Sequence, residues 1–429
     1  MKIYFQTLGC KVNQYETQAM ESLFSEKGWE ICDAPENTDV CVINTCAVTA
    51  ESERKSRQAV RHIKGKNPNA VIAVSGCSSQ ISPDDHESLG AEVVFGSGDR
   101  LGFMAAIEKA VMEKIKTKKT DDALKRREFE VLPAGGLAGR TRAMLKIQDG
   151  CSNFCSYCVI PYSRGPSRSM ALSEIGKEAE RLCNEGYKEL VVTGIEIASY
   201  GRDFKDGTTL ADAVSLVCEK AENARVRLGS LEPRVITEEF CEKLSKYPNL
   251  CGHFHLSLQS GCDETLSRMR RKYDTDRFFE SVTLLRKYFP HCGIAADLIT
   301  GFPGETEEEF SKTLKFIEKC AFSSMHIFPY SIRPGTKAAG MDGQLTKAEK
   351  SRRAALANEV AEKTKNEYLE SCVGKTLRVL FETEKDGYSM GHGENYCSVT
   401  VKGENLHNNV ADVQITGIKD GLLWGTVTL

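Results

Sequence analysis

Cys151-Ser-Asn-Phe-Cys155-Ser-Tyr-Cys158 is the densest concentration of metal-binding chemistry in the chain. Three thiolates on one short loop can converge on one face of a cluster, and such a triad without a fourth partner nearby is iron–sulfur-like rather than disulfide-like. The missing ligand leaves one metal position open to a small molecule, much as a catalytic zinc site does. Structural zinc would want two CxxC pairs or a nearby fourth Cys or His, and the nearest downstream His is His253.

A second group is dispersed. Cys10, Cys46 and Cys77 each close a short apolar run (FQTLGC, CVINTC, AVSGC). If those runs are neighbouring parallel strands, the three thiols project from one sheet edge, where open α/β sheets bind ligands. Position alone leaves two readings open, a three-Cys site or three small packed side chains, since free Cys is among the most buried residue types. Cys41, inside a strand, is expected in the core, as are Cys32, Cys183, Cys218, Cys241, Cys251, Cys262, Cys292 and Cys320.

The elements that must position these groups follow from hydrophobic patterning. Residues 2 to 100 alternate apolar runs with amphipathic stretches, including a helix around Thr17 to Lys27, which predicts a doubly wound parallel sheet. Residues 114–127 hold seven Lys/Arg and two Asp, and a Gly/Pro-rich stretch follows. This reads as a boundary. A second series, RAMLKIQDGC, ELVVTG, ARVRLGSLEP, HFHLSLQSG, GIAADLITGFPGE and SSMHIFPYS, gives six βα units and predicts a partial barrel with reactive groups beyond the strands' C-terminal ends. Thr306/Glu309 and Thr346/Glu349 fit capping boxes, the second opening a long helix to about Glu370. After Gly374, short alternating strands predict a small all-β barrel or sandwich. The expected organisation is 1–115 N-terminal sheet domain, 116–136 linker, 137–370 barrel domain and 371–429 β domain.

Composition narrows the class. The 57 Lys+Arg nearly balance the 60 Asp+Glu, giving −3, which excludes a tail-driven nucleic-acid binder but not a local basic surface. No run approaches the ~20 apolar residues that span a bilayer. The start, MKIYFQTLGCKVNQYE, is interrupted too soon for a secretory signal, so a cytoplasmic protein with no membrane partner is expected. Seventeen Cys in a reducing compartment must pack, catalyse or bind metal. VVFGSGDRLG is a turn rather than a dinucleotide loop, and His253 and His255, alternating on a strand, read as packed or hydrogen-bonded.

Taken together, these residues resemble the methylthiotransferase branch of the radical S-adenosylmethionine enzymes, over nearly the whole chain. TLGCKVNQYET, INTCAVT, SGC, the CxxxCxxC loop with VIPYSRGPSRS, LGSLEP, LSLQSG, DLITGFPGET and a C-terminal β module similar to the family's TRAM domain (an OB-like barrel) fall in the family's order. The resemblance implies two 4Fe-4S clusters and S-adenosylmethionine. Cys10, Cys46 and Cys77 take the auxiliary cluster, and Cys151, Cys155 and Cys158 the radical cluster of a (β/α)6 TIM-like barrel.

It further implies insertion of sulfur plus methyl at an unactivated C–H bond, with no catalytic side chain beyond the cluster-bound groups. Gly194, Glu196, Ser230, Glu232, Ser257, Gln259 and Asp297 are expected around the cofactor or substrate. Arg164 and Arg168, beside the radical loop, are expected to meet a phosphate backbone. The run Arg268, Arg270, Arg271, Lys272 is a second basic feature, or a solvated charged face. The implied partners are a tRNA anticodon stem-loop and unidentified electron and sulfur donors.

Within the family TLGCKVNQYET looks most like the branch acting on N6-threonylcarbamoyladenosine beside the anticodon; the isopentenyladenosine branch more often reads TYGCQMN. A branch modifying a ribosomal-protein aspartate and a non-catalytic iron–sulfur RNA-binding protein are the alternatives. Residues 371–429 carry five Lys/Arg against seven Asp/Glu, a departure from the basic face expected of an RNA-binding module.

Overall fold

The computed structural model describes residues 1–133 and 141–428; the expected boundary at 136/137 lies outside them. The N-terminal sheet has six parallel strands: β1 (Lys2–Thr7), β2 (Glu30–Cys32), β3 (Val40–Thr45), β4 (Val71–Gly76), β5 (Val93–Phe95) and β6 (Thr117–Lys119). Their spatial order is β2-β1-β3-β4-β5-β6. β3 and β4, reading VCVINT and VIAVSG, are buried along their whole length, as parallel strands covered on both faces must be. The helix Ala50–Lys66 starts on Thr49, whose side chain accepts from Ser52 N–H, with Glu51 and Glu53 in its first turn and Lys64 and Lys66 in its last. Those charges complement the helix dipole.

Three expectations change here. β6 falls inside the stretch assigned to a linker, so the sheet extends beyond residue 115. Its Thr-Lys-Lys sequence has no apolar alternation to reveal it. The strand is held by backbone pairing and by Lys118 to Asp84 and Glu87 and Lys119 to Asp99, a charged edge of the kind that protects sheets from further pairing. The first helix runs Lys11–Glu26, beginning immediately after Cys10 rather than near Thr17. Cys32 and Cys183 are half-buried, unlike the other seven cysteines expected in the core, because β2 is the outer strand and Cys183 sits in the last turn of a surface helix.

The central region contributes β7 (Arg142–Lys146), β8 (Gln148–Asp149), β9 (Arg168–Ser169), β10 (Glu189–Thr193), β11 (Arg225–Leu228), β12 (Ser230–Leu231), β13 (His253–Gln259), β14 (Gly293–Thr300) and β15 (Ser324–Pro329). β7, β10 and β11 form one parallel sheet and β12 to β15 another. β12 continues β11 past Gly229, and a Val226–Leu250 bridge links the two, so the wall is a six-position partial barrel. Its free edges are β7 and β15. The N-terminal domain reaches both. Tyr15 and Ala19 of the first helix share a core with Leu145 and Leu190, while beyond β15 Ala50 N–H donates to Ser331 Oγ at 3.0 Å and Arg333 pairs with Glu53 at 2.7 Å. Thr306 and Glu309 form the full capping box. At Thr346 only half of it forms, because the Glu349 carboxylate turns to Arg352 and Arg353.

The helix Lys347–Cys372 leads to a closed barrel of β16 (Thr376–Lys385), β17 (Tyr388–His392), β18 (Ser398–Lys402), β19 (Val410–Lys419) and β20 (Leu422–Val427), ordered β16-β17-β18-β20-β19. It docks on the N-terminal ends of the parallel strands. Glu189, fully buried at the start of β10, is gripped by Arg225 at 2.5 Å, Arg227 at 2.8 Å and Arg142 at 3.3 Å. The same arginines donate onward, Arg225 to Arg378 O and His392 O, Arg227 to Gly393 O and Glu394 O, and Arg142 to Glu382. One carboxylate therefore organises the junction between the two domains. Removing one partner from a buried ion cluster leaves uncompensated charge, so Glu189→Ala is expected to lower stability by about 3–5 kcal/mol in urea unfolding. A loss below about 1 kcal/mol, the range of an exposed pair, would contradict this role.

Candidate active site

Cys46 and Cys77 directly follow β3 and β4 and Cys10 lies three residues past β1, and these strands are adjacent in the sheet, so the three thiols gather at one edge. The approach is close. A Cβ on Gly9 would lie 2.9 Å from Cys46 Cβ, and one on Gly76 would lie 2.5 Å from Thr45 O; both glycines have φ near +115° (+115° and +113°), which side chains disfavour. Cys10 also occupies the N-cap of the first helix without a capping bond of its own.

The CxxxCxxC loop lies between β8 and the short helix Ile160–Arg164. Ile160 N–H donates to Cys158 Sγ at 3.4 Å, and Arg271 Nη1 donates to Cys155 Sγ at 3.1 Å. Ala47, Cys77 and Val159 pack together, putting the residue after Cys46 and the residue after Cys158 against the third thiol of the dispersed triad. The segments that carry the two triads thus meet here. Burial pushes the Cys46 thiol up to about 11 and Cys151 and Cys158 up to about 12, so as free thiols these three stay protonated near neutrality. A metal taking the place of the proton reverses that preference.

A buried charge network stands beside the dispersed triad. Glu16 pairs with Arg100 (2.6 Å), Lys146 (3.4 Å) and Arg164; Asp149 pairs with Lys146 (2.7 Å), Arg164 (3.5 Å) and Arg168 (3.6 Å). All six side chains are buried, four cations against two carboxylates. Arg164 also donates from Nε to Cys77 Sγ at 3.2 Å and from Nη2 to Asn13 Oδ1 at 2.8 Å. Arg164 and Arg168 therefore do not face an RNA backbone, as the sequence suggested, but hold this internal network. Likewise Arg268 turns to Glu309 and Arg271 to Cys155, leaving Arg270 and Lys272 as the exposed members of that run.

Uncompensated buried cations are costly, so an anionic group is expected at the triad. Thiolate-ligated iron and sulfide would supply it, and the donor set fits. Among the described residues the cysteines are free of disulfides, and no three His, Cys, Asp or Glu side chains converge as ligands of one ion do.

Cys10, Gly194, Ser230 and Asp297 line one cavity of 760 Å³, together with Lys11, Ile160, His253, His255 and His326 and with Tyr396 from the C-terminal barrel. Asp297 Oδ1 lies 2.9 Å from His255 Nε2, and the His255 ring stacks on His326 at 5.3 Å. His253 is buried and stacks on Tyr396 at 4.7 Å; burial drives its pKa well down, so it is a neutral packing group. The other expected cofactor residues lie outside this lining. Glu196 accepts from Asn153 in the CxxxCxxC loop at 3.3 Å, and burial raises its pKa to about 7 despite Arg271. Glu232 is held by Arg234 at 2.7 Å. Ser257 and Gln259 follow His253 and His255 on alternate positions of β13, past a register shift that leaves Gln259 at φ +65°. Lys11, His326 and Tyr396 escaped the sequence reading. Only the pairing of Lys11 with Cys10 in TLGCK offered a signal.

Comparison with known proteins places this geometry. The Radical SAM superfamily description matches residues 145–317, and that of the uncharacterized protein family UPF0004 matches residues 2–96. The chain is 40% identical to the threonylcarbamoyladenosine tRNA methylthiotransferase of Bacillus subtilis (strain 168), covering 96% of this chain and 93% of that protein. The chain belongs to the radical S-adenosylmethionine methylthiotransferase family. A relative of the same description from Thermotoga maritima is 34% identical over 97% of this chain and 94% of its own length. The tRNA-2-methylthio-N(6)-dimethylallyladenosine synthase of Bacillus subtilis, another family member, is 33% identical over 89% and 76%. Among solved structures, the radical S-adenosylmethionine methyltransferase TsrM of Kitasatospora setae, with cobalamin and a 4Fe-4S cluster bound, gives a TM-score of 0.57 at 16% identity, covering 79% of this chain and 77% of that one, a likeness of fold.

Burial would raise the Glu16 carboxyl, but Arg100, Arg164 and Lys146 outweigh it and hold the group down at about 2, against 4.5 ordinarily. A depressed acid contributes stability above its unfolded pKa and loses it as pH falls through the folded one. The family fold should therefore weaken between about pH 4.5 and 2. Glu16→Gln should be less stable at pH 7 and show a flatter acid limb in denaturant titrations; an unchanged acid limb would contradict the network's role.

Proposed function

We propose that this chain is a tRNA methylthiotransferase that converts N6-threonylcarbamoyladenosine beside the anticodon to its 2-methylthio derivative, in the cytoplasm. The observation that carries the reading is the packing of Ala47 and Cys77 against Val159, which brings the segments bearing the two Cys triads together beside a cavity that Cys10 lines, in a chain whose full-length relatives bear that name. Cys151, Cys155 and Cys158 would hold a 4Fe-4S cluster with one iron left for S-adenosylmethionine, and Cys10, Cys46 and Cys77 a second, auxiliary cluster. The bound groups would supply a radical able to take an unactivated hydrogen and the sulfur and methyl that replace it.

The protein's part is placement. Gly194, Ser230 and Asp297 line the cavity that Cys10 borders and would position cofactor and substrate, with Glu196, Glu232, Ser257 and Gln259 beyond that lining. Arg271 at Cys155 and Arg164 at Cys77 each offer a positive charge to a cluster sulfur. The first helix and Arg333 tie the sheet edge to the barrel's two free edges. The five-stranded barrel is TRAM-like, and its net acidic composition supplies no broad basic face, so any RNA contact it makes rests on shape or on a few residues such as Lys375 and Arg378.

Nucleoside mass spectrometry of tRNA from a host lacking methylthiotransferases tests this. Methylthio-threonylcarbamoyladenosine should appear with the unmutated chain and not with Cys151→Ala, Cys155→Ala, Cys158→Ala or Cys10→Ala, while purified Cys10→Ala should still cleave S-adenosylmethionine. Methylthio-isopentenyladenosine in its place would overturn the substrate assignment, and full product from Cys10→Ala would overturn the auxiliary site.

A further inference from the structure

Three formally charged side chains line the 760 Å³ cavity: Lys11, Asp297 and Lys365. Asp297 faces His255, and Lys365 pairs with Glu362 at 3.1 Å. Lys11 alone has no ion pair or hydrogen bond among the described residues. It also lines an adjoining cavity of 500 Å³, where the other charged groups satisfy one another: Arg142 with Glu189 and Glu382, and Arg227 with Glu189. Lys11 therefore stands at the wall shared by two cavities, an exposed ammonium with no acid of its own, one residue from Cys10.

From this we infer that Lys11 is a specificity-determining residue whose ammonium takes the carboxylate of an amino-acid-derived N6 substituent on the target adenine. The inference rests on the function proposed above and deepens it. In adenine, C2 and the carbon bearing N6 flank the same ring nitrogen. A base that presents C2 to the Cys10 edge thus brings its N6 substituent within a side chain's reach of the same edge. A carboxylate arriving there meets a cation that needs a partner, and the charge-assisted bond stabilises the complex. An apolar N6 substituent would instead leave the ammonium facing hydrocarbon, which disfavours it. The same residue thus attracts one substrate class and rejects the other.

The test uses the reconstituted full chain with two anticodon stem-loop RNAs, one carrying N6-threonylcarbamoyladenosine and one its threoninamide analogue. The unmutated protein should prefer the acid by about 10- to 100-fold in kcat/KM, the range of a charge-assisted hydrogen bond. Lys11→Gln should lose that preference by falling on the acid alone, and Lys11→Arg, which keeps the charge, should retain it. Iron content checks that the neighbouring triad is loaded in each variant. Lys11→Gln that keeps the acid preference would overturn the proposal. So would an equal fall on both RNAs, which would assign Lys11 to a backbone phosphate or to folding. An unmutated protein that methylthiolates neither RNA would overturn the proposed function and this inference together, and is told apart by that result.

Discussion

Two carboxylates buried among four cations hold this molecule in its working arrangement. Glu16 comes from the first helix, Arg100 from the helix closing the N-terminal sheet, and Lys146, Asp149, Arg164 and Arg168 from the start of the partial barrel. Glu16 pairs with Lys146 and Arg164 across the junction, so neither domain can withdraw without breaking buried ion pairs in a desolvated place. The excess of cations then favours an anion where Arg164 reaches Cys77. The network that joins the domains is therefore also the electrostatic setting of the dispersed triad.

Much else follows from that junction. A partial barrel leaves its interior open between its edge strands, and here the N-terminal domain spans the gap. The sheet edge bearing Cys10, Cys46 and Cys77 then comes against the loop bearing Cys151, Cys155 and Cys158. The arrangement is repeated at the opposite end of the strands, where Glu189 and three arginines seat the C-terminal barrel and bring Tyr396 to the cavity wall. Buried ion clusters give such docking its register, whereas apolar faces alone would tolerate sliding.

The parts of this plan legible in the sequence are those set by local pattern. Runs such as VCVINT and VIAVSG announce buried parallel strands, the Cys that follows each announces a shared sheet edge, and CxxxCxxC announces a cluster loop. What escaped depends on partners distant in the chain. Nothing near Arg164 reveals that it will meet Glu16, 148 residues away, so a local basic motif was read as a surface for phosphate. β6 escaped because an edge strand needs backbone pairing and not apolar alternation. The start of the first helix at Lys11 escaped because Cys10 gives no capping signal, and with it the placement of Lys11 in the cavity. Tyr396 belongs to a domain whose docking face is built from arginines of another.

The proposed arrangement puts two iron–sulfur sites, one on each Cys triad, at this one domain junction. The most direct measurement is iron analysis with electron paramagnetic resonance of the reduced, reconstituted chain, beside triple Cys→Ala variants of each triad. The account predicts about eight irons per chain in the unmutated protein, about four in either triple variant, and spin–spin broadening only when both triads are intact. About four irons in the unmutated chain, with one triple variant unchanged from it, or two clusters with no magnetic interaction, would contradict it.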